Sequence, residues 1–251
     1  MDELALIMDL HRDGARQGPG GIDETRLAIA LSGLSGKRNL RIADIGCGTG
    51  ASTRVLALDL DARLTAVDFL PEFLDRLSKA ADHNGLRDRI ETVHASMDTL
   101  PFDEQSFDAI WSEGAIYNIG FEAGAKAWRS YLKPDGILAV SELTWLTGNR
   151  PHSLHEHWIK AYPEVDTASA KMAVLEANGY APIGYFVLPE RCWLENYYRP
   201  MQARFPDFLL RHGHAREANA IVKAEQAEIE LYERYSAFFG YGFYVARRTS
   251  A

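Results

Sequence analysis

Only two cysteines, Cys47 and Cys192, occur in the 251 residues of the chain. Neither belongs to a C-x-x-C pair, so a disulfide framework and the common zinc modules are excluded. A reduced, cytoplasmic setting is expected. No apolar run approaches the about 20 residues of a membrane-spanning helix. The opening MDELALIMDLHRDGARQ is not a signal peptide, and no membrane partner is expected. Lysine and arginine never form a run, and the net charge is −8. A nucleic-acid partner is therefore not expected, because phosphate backbones call for a basic surface. The G-x-S-x-G of a nucleophile elbow and the lysine of a phosphate-binding loop are both missing. Three histidines, His152, His155 and His157, stand close together, but a helix puts only residues three or four apart on one face. No cysteine or histidine of suitable spacing joins them, so no metal is expected.

What the chain does have is LRIADIGCGTG, Leu40 to Gly50. Leu40, Ile42, Ala43 and Ile45 form a short apolar run of the kind found in buried parallel strands. The run ends in Gly46, Gly48 and Gly50, with Cys47 between them, and ASTRVLALDL then reads as an amphipathic helix. Glycines at such a turn let a ligand approach the backbone, and the N–H groups opening the helix face it. Asp44 is the informative departure from a generic nucleotide loop. A carboxylate there can accept hydrogen bonds from an ammonium group, directly or through water. The run half-fits a dinucleotide fingerprint as well, with Ala51 as the last small residue and Asp68 downstream. Asp68 suits a ribose in either ligand.

From Leu40 onward strand and helix patterns alternate. LTAVDF (64–69), RIETVHA (89–95), SFDAIWS (106–112) and GILAVSEL (136–143) read as strands, the last entered through a KPDG turn. This spacing means βαβ units and a doubly wound parallel sheet. Two helical stretches follow, PHSLHEHWIKAY and TASAKMAVLEANG. APIGYFVLP (181–189) and YGFYVARR (241–248) are further strands, with a largely helical insert of about fifty residues between them. That insert is too long for a hairpin loop. Ahead of the first strand, a helix over 1–15 leads to RQGPGG (16–21), and Asp23 is expected to cap the next helix. RQGPGG reads either as a plain turn or as a flap whose Arg16 or Gln17 closes on a ligand carboxylate.

The D-x-G-x-G-x-G run resembles motif I of the class I S-adenosylmethionine-dependent methyltransferases. More narrowly, RQGPG and WSEGAIYNIGF resemble type-11, UbiE-like bacterial members whose substrate the resemblance does not supply. It covers residues 40–145 with specific motifs. The resemblance implies a seven-stranded sheet of order 3-2-1-4-5-7-6 with the last strand antiparallel. It also implies S-adenosylmethionine as cofactor, held by Arg16, Gln17, Asp44, Gly46, Cys47, Gly48, Gly50, Asp68 and Phe69. ASMDTLPF (95–102) resembles the family's adenine segment, with Ser96 in place of the commoner aspartate, so that Asp98 or a backbone carbonyl can serve the adenine amino group. Met97 offers the ring a soft apolar face. Glu113 falls where the family sets a backbone carbonyl against the methionyl amine, and Tyr117 and Asn118 open the loop toward a substrate cavity.

The expected architecture is one α/β methyltransferase domain over 1–251. It comprises a helical cap (1–39), a cofactor-binding core (40–145) and a substrate side (146–251) with its insert at about 190–239. The expected function is in-line methyl transfer to a small-molecule acceptor. The alternatives are a non-catalytic or regulatory S-adenosylmethionine-binding protein and a nicotinamide-dependent oxidoreductase. If the acceptor must lose a proton, Glu113, Tyr117 and Glu142 are the candidate catalytic residues. Trp193, Tyr197 and Tyr198 of the insert are residue types more often found in cores, yet WLENYY is rich enough in aromatics to line a pocket. RQGPGG and the insert are expected to roof the crevice above Asp44, Glu113 and Glu142. A homodimer is the one macromolecular partner kept open.

Overall fold

Alternation of apolar side chains along the strands sets the architecture. In the computed structural model, which describes residues 3–249, β1 (Leu40–Ile45) sends Ile42 to one face of the sheet and Ala43 and Ile45 to the other. Residues 1, 2, 250 and 251, which belong to the expected first helix and single domain, lie outside the described residues. Both faces of β1 are buried, as a parallel strand between helical layers requires. Two helices precede it, α1 (Glu3–His11) and α2 (Ile22–Ser32). The cap position of α2 is Gly21, not Asp23, which lies in the first helical turn, where its charge meets the positive end of the helix.

After β1 come α3 (Ala51–Asp59), β2 (Ala62–Asp68), α4 (Pro71–His83), β3 (Ile90–His94), β4 (Phe107–Glu113) and α5 (Phe121–Trp128). Pro71 opens α4, where its missing N–H has no helical partner to lose. The strand β5 (Leu132–Trp145) runs past both ends of the expected one. The KPDG turn is absorbed into it, with Asp135 at φ 59° and a break in register against β4. Its far end carries on to Trp145 and pairs with a two-residue strand that the apolar pattern does not announce. The chain continues through α6 (His152–Ala161), that strand β6 (Asp166–Thr167), α7 (Ala168–Ala177) and β7 (Tyr180–Val187). The insert is α8 (Glu190–Trp193), a π-helical turn over Leu194–Tyr198, α9 (Arg199–Arg211) and α10 (Arg216–Tyr235), before β8 (Phe239–Arg248) closes the sheet.

The sheet runs β3-β2-β1-β4-β5-β8-β7, with β8 antiparallel to both neighbours and β6 beside β5. With β7 and β8 as the sixth and seventh strands, this is the expected order. One face packs against α1 to α4 and the insert, and the other against α5 and α7. Trp128 of α5, fully buried, donates its indole N–H to the Met97 carbonyl and so ties a helix to the loop after β3. No described helix is long and apolar enough to cross a membrane.

Candidate functional site

The site lies at the carboxyl ends of β1, β2 and β4, where the order of an open α/β sheet reverses. Gly46 leaves β1 at φ 72°, and a Cβ there would collide with Cβ of Ala115. A side chain at 46 is thus barred by both backbone and neighbour. Gly48, at φ 55°, has its approach filled by Gln17, whose Oε1 would collide with an added Cβ. That same Oε1 accepts the Thr49 N–H at 2.9 Å, while the Gln17 amide donates to the Gly14 carbonyl at 3.0 Å. Gln17 therefore pins the RQGPGG segment onto the glycine loop.

Asp68, at the end of β2, holds the loop from the other side. Its Oδ2 accepts the Gly48 N–H at 2.8 Å and its Oδ1 the Leu70 N–H at 2.9 Å. Each oxygen keeps a second lone pair, and the residue borders the cavity described below. Burial pushes the carboxyl above its ordinary range, against the pull of those backbone donors. Phe69, 61% exposed, and Ser96, Met97 and Asp98 border the same end of the cavity. Asp98 is drawn below its ordinary value chiefly by a hydrogen bond from Ser96, so the two residues act together at the position expected to meet an adenine amino group.

Asp44 is fully buried on β1. Its Oδ2 accepts Ser52 Oγ at 2.8 Å and Thr53 Oγ1 at 2.6 Å, and its Oδ1 has no partner among the described residues. Desolvation lifts its pKa to about 7, the two hydroxyls and Arg16 opposing it only in part. The folded state thus holds a proton that the unfolded chain, with a value near 3.8, releases. Stability is lost as pH rises between those two values and levels off above them. The melting temperature of Asp44→Asn should gain on that of the native chain across this window. A difference that stays constant with pH would rule the titration out.

Several expected site residues are placed elsewhere. Cys47 is packed behind the loop, its thiol pushed up by burial, and does not border the cavity. Gly50 meets Leu77 of α4 in place of a ligand. Arg16 is not turned toward the cavity. Its guanidinium donates to Glu113 Oε2 at 2.9 Å, in space that a side chain at Gly20 would fill. Glu113 also accepts Thr25 Oγ1 at 2.7 Å and Trp111 Nε1 at 2.9 Å. A carboxylate so engaged is a latch between β4 and the N-terminal segment, which corrects its reading as a free base. Glu142 is corrected too. Because β5 continues to Trp145, the residue lies within the sheet and not at its rim, with no exposed surface. Its Oε1 lies 3.5 Å from Nζ of Lys171 on α7, itself 2% exposed, and its Oε2 has no partner among the described residues. Desolvation raises Glu142 to about 7, with Lys171 opposing. Lys171 sits 4.5 Å from the ring centroid of Phe121 and 5.2 Å from that of Tyr162. Its place was not foreseen, although it stands four residues before buried Leu175 on the core face of α7.

All the cavity-bordering residues belong to one space of about 980 Å³, within the range of small-molecule sites. It runs from Asp68 and Met97 past Gly46, Gly114 and Tyr117 to Trp193, Tyr197, Glu225 and Glu228. Tyr117 and Asn118 border it, and Tyr117 keeps 42% of its surface although burial raises its phenol. That surface is cavity wall. Trp193 and Tyr197 border it while Tyr198 is core. The roof joins the two expected pieces. Gly20 donates to the Cys192 carbonyl at 3.4 Å, Asn196 to the Gly20 carbonyl at 2.7 Å, and Arg191 pairs with Glu24. Helix α1 is a further part of the roof, through Leu4, Ile7, Met8 and His11. Asp44, Glu113 and Glu142 lie beneath this space without bordering it.

Residues 42–136 match a family described as "Methyltransferase domain". An uncharacterised protein of Haemophilus influenzae is 27% identical over 185 residues, 64% of this chain and 72% of its own length. A demethylmenaquinone methyltransferase of Clavibacter sepedonicus is 36% identical over 107 residues, 41% of either chain, so well under two thirds of that relative is spanned. Among solved structures, an S-adenosylmethionine-dependent methyltransferase of Geobacter sulfurreducens in complex with S-adenosyl-L-homocysteine superposes with a TM-score of 0.82. That pair shares 16% identity and covers 98% of this chain and 97% of the other.

Proposed function

We propose that this chain, whose residues 42–136 are a methyltransferase domain of the class I S-adenosylmethionine-dependent type, methylates a small-molecule acceptor under its two-piece roof. The supporting observation is the single cavity that joins the Asp68 end of the glycine loop to the aromatic and acidic roof. The residues at its cofactor end fit the ligand in their chemistry. Asp68 has lone pairs to spare for ribose hydroxyls, Phe69 and Met97 offer flat apolar contact, and Asp44 holds an unpartnered oxygen beneath the loop. S-adenosylmethionine bound there supplies a methyl group already activated on a sulfonium. The chain's own part is to hold, align and dry the reactants, and alignment alone supplies about 7–11 kcal/mol in favourable cases.

Arg16 and Glu113 contribute by fastening the N-terminal segment across β4, and Gln17 by seating it on the glycine loop. A roof of this kind admits a metabolite and excludes the surface of a folded protein or a duplex. The nicotinamide and non-catalytic readings are not favoured. Calorimetric titration tests the proposal: S-adenosylhomocysteine should release heat with a one-to-one stoichiometry and NADH none. Tight NADH binding with no heat from S-adenosylhomocysteine would overturn it.

A further inference from the structure

On α10 the buried residues Ala218, Ile221, Ile229 and Tyr232 mark a stripe, and two glutamates, Glu225 and Glu228, stand on it. Both border the cavity. Glu228 accepts Tyr198 Oη at 2.9 Å through Oε1 and takes no other hydrogen bond among the described residues. It is an exposed residue that borders the cavity, and desolvation and the Glu225 charge raise its carboxyl above the ordinary range. Glu225 Oε1 lies 3.3 Å from Nε2 of His11 on α1. A carboxylate only accepts, so Nε2 carries the hydrogen in that contact. The residue is 8% exposed and borders the cavity, and its Nδ1 is buried without a partner among the described residues. His11 is stacked on Tyr197, with ring centroids 6.2 Å apart.

Two carboxylates, each with one oxygen that takes no donor among the described residues, therefore converge on the roof, and no described lysine or arginine borders the cavity. Aromatic faces complete the wall: Trp193 and Tyr241 meet edge to face at 4.8 Å beside Tyr197. Carboxylates set among aromatic rings stabilise a cation both by charge and through the ring faces. A neutral hydroxyl would satisfy one acceptor and leave the rest unpaired, which is costly in a desolvated site.

We infer that the methyl acceptor is a small amine, seated as its ammonium against Glu228 and Glu225. The inference rests on the methyl-transfer reading above. In the step, the ammonium loses a proton to the carboxylate oxygen of Glu228 that Tyr198 leaves free, and its freed lone pair forms the new N–C bond. The methyl donor's C–S bond breaks as it forms, and that electron pair remains on sulfur.

The test uses the full chain loaded with S-adenosylhomocysteine and three probes of one shape, benzylamine, benzyl alcohol and benzoate. Benzylamine should bind at least about tenfold tighter than the alcohol, as one charge-assisted hydrogen bond provides, and benzoate weakest. Glu228→Gln should erase that preference without changing affinity for S-adenosylhomocysteine. If this variant does not fold, Glu225→Gln serves in its place. Equal or tighter binding of the alcohol or benzoate, or a preference that survives both substitutions, would overturn the inference. A second arm supplies labelled donor and an acidified metabolite extract split on a cation exchanger. Label should enter only the retained, amine-bearing fraction. Label confined to the flow-through defeats the amine alone, whereas label in neither fraction defeats the methyl-transfer reading with it.

Discussion

Replacing Asp68 with alanine is expected to weaken binding of S-adenosylhomocysteine by about a hundredfold or more. Two hydrogen bonds from ribose hydroxyls to a carboxylate are worth about 1.5–3 kcal/mol each. The same side chain also accepts the Gly48 and Leu70 N–H groups, so its loss frees the glycine loop that the ligand must meet. Asp68→Asn should fall in between, since one oxygen still accepts while the amide turns a donor toward a backbone donor. Calorimetry on the folded variants measures this directly. A change of less than threefold in the alanine variant would mean that the ribose lies elsewhere, and the orientation assigned to the cavity would fall with it.

Lys171→Met is expected to cost the fold about 3–5 kcal/mol, because it leaves Glu142 buried without its cation. The loss should depend on pH in a definite direction. Glu142 already stands near 7 in the folded chain against an ordinary 4.5, so the folded state holds the extra proton. Below the lower value there is no penalty, and the penalty grows as pH rises. Removing the lysine raises the folded value further and carries the growth to higher pH. Denaturant unfolding should therefore show the variant closest to the native chain in acid. The pair Lys171→Met with Glu142→Gln should recover much of the loss, since no buried charge remains. A single-variant loss under about 1 kcal/mol at every pH would show that water reaches the pair.

The core of the fold was legible because its signals are local. Ile42, Ala43 and Ile45 alternate between two buried faces, Gly46 and Gly48 need left-handed backbone, and Pro71 and Gly85 bracket a helix. Asp68 borders the cavity where the strand ends of an open sheet face a ligand, whereas Met97 and Tyr117 are reached through the resemblance of their segments to the family's. Glu142 was misplaced for the same reason: the rule needs the strand's end, and β5 runs three residues further because β6 and β8 go on pairing with it. Arg16 and Glu113 were both marked, but their mutual pairing joins residues 97 positions apart in the chain, which no local pattern carries. The acidic roof was within reach. Glu225 and Glu228 interrupt the apolar stripe of α10, as Lys171 does that of α7, and a charge on a core-facing stripe points either to a buried partner or to a cavity. Which of the two holds is decided only by tertiary contact. Lys171 found Glu142, and the glutamates found the cavity.

Methyl transfer in this roofed cavity requires a small acceptor. The full chain incubated with methyl-labelled S-adenosylmethionine and a whole-cell extract, then passed through a membrane that retains macromolecules, tests it most directly. Label should leave with the small molecules, in step with release of S-adenosylhomocysteine. Label retained on protein or nucleic acid would contradict the account.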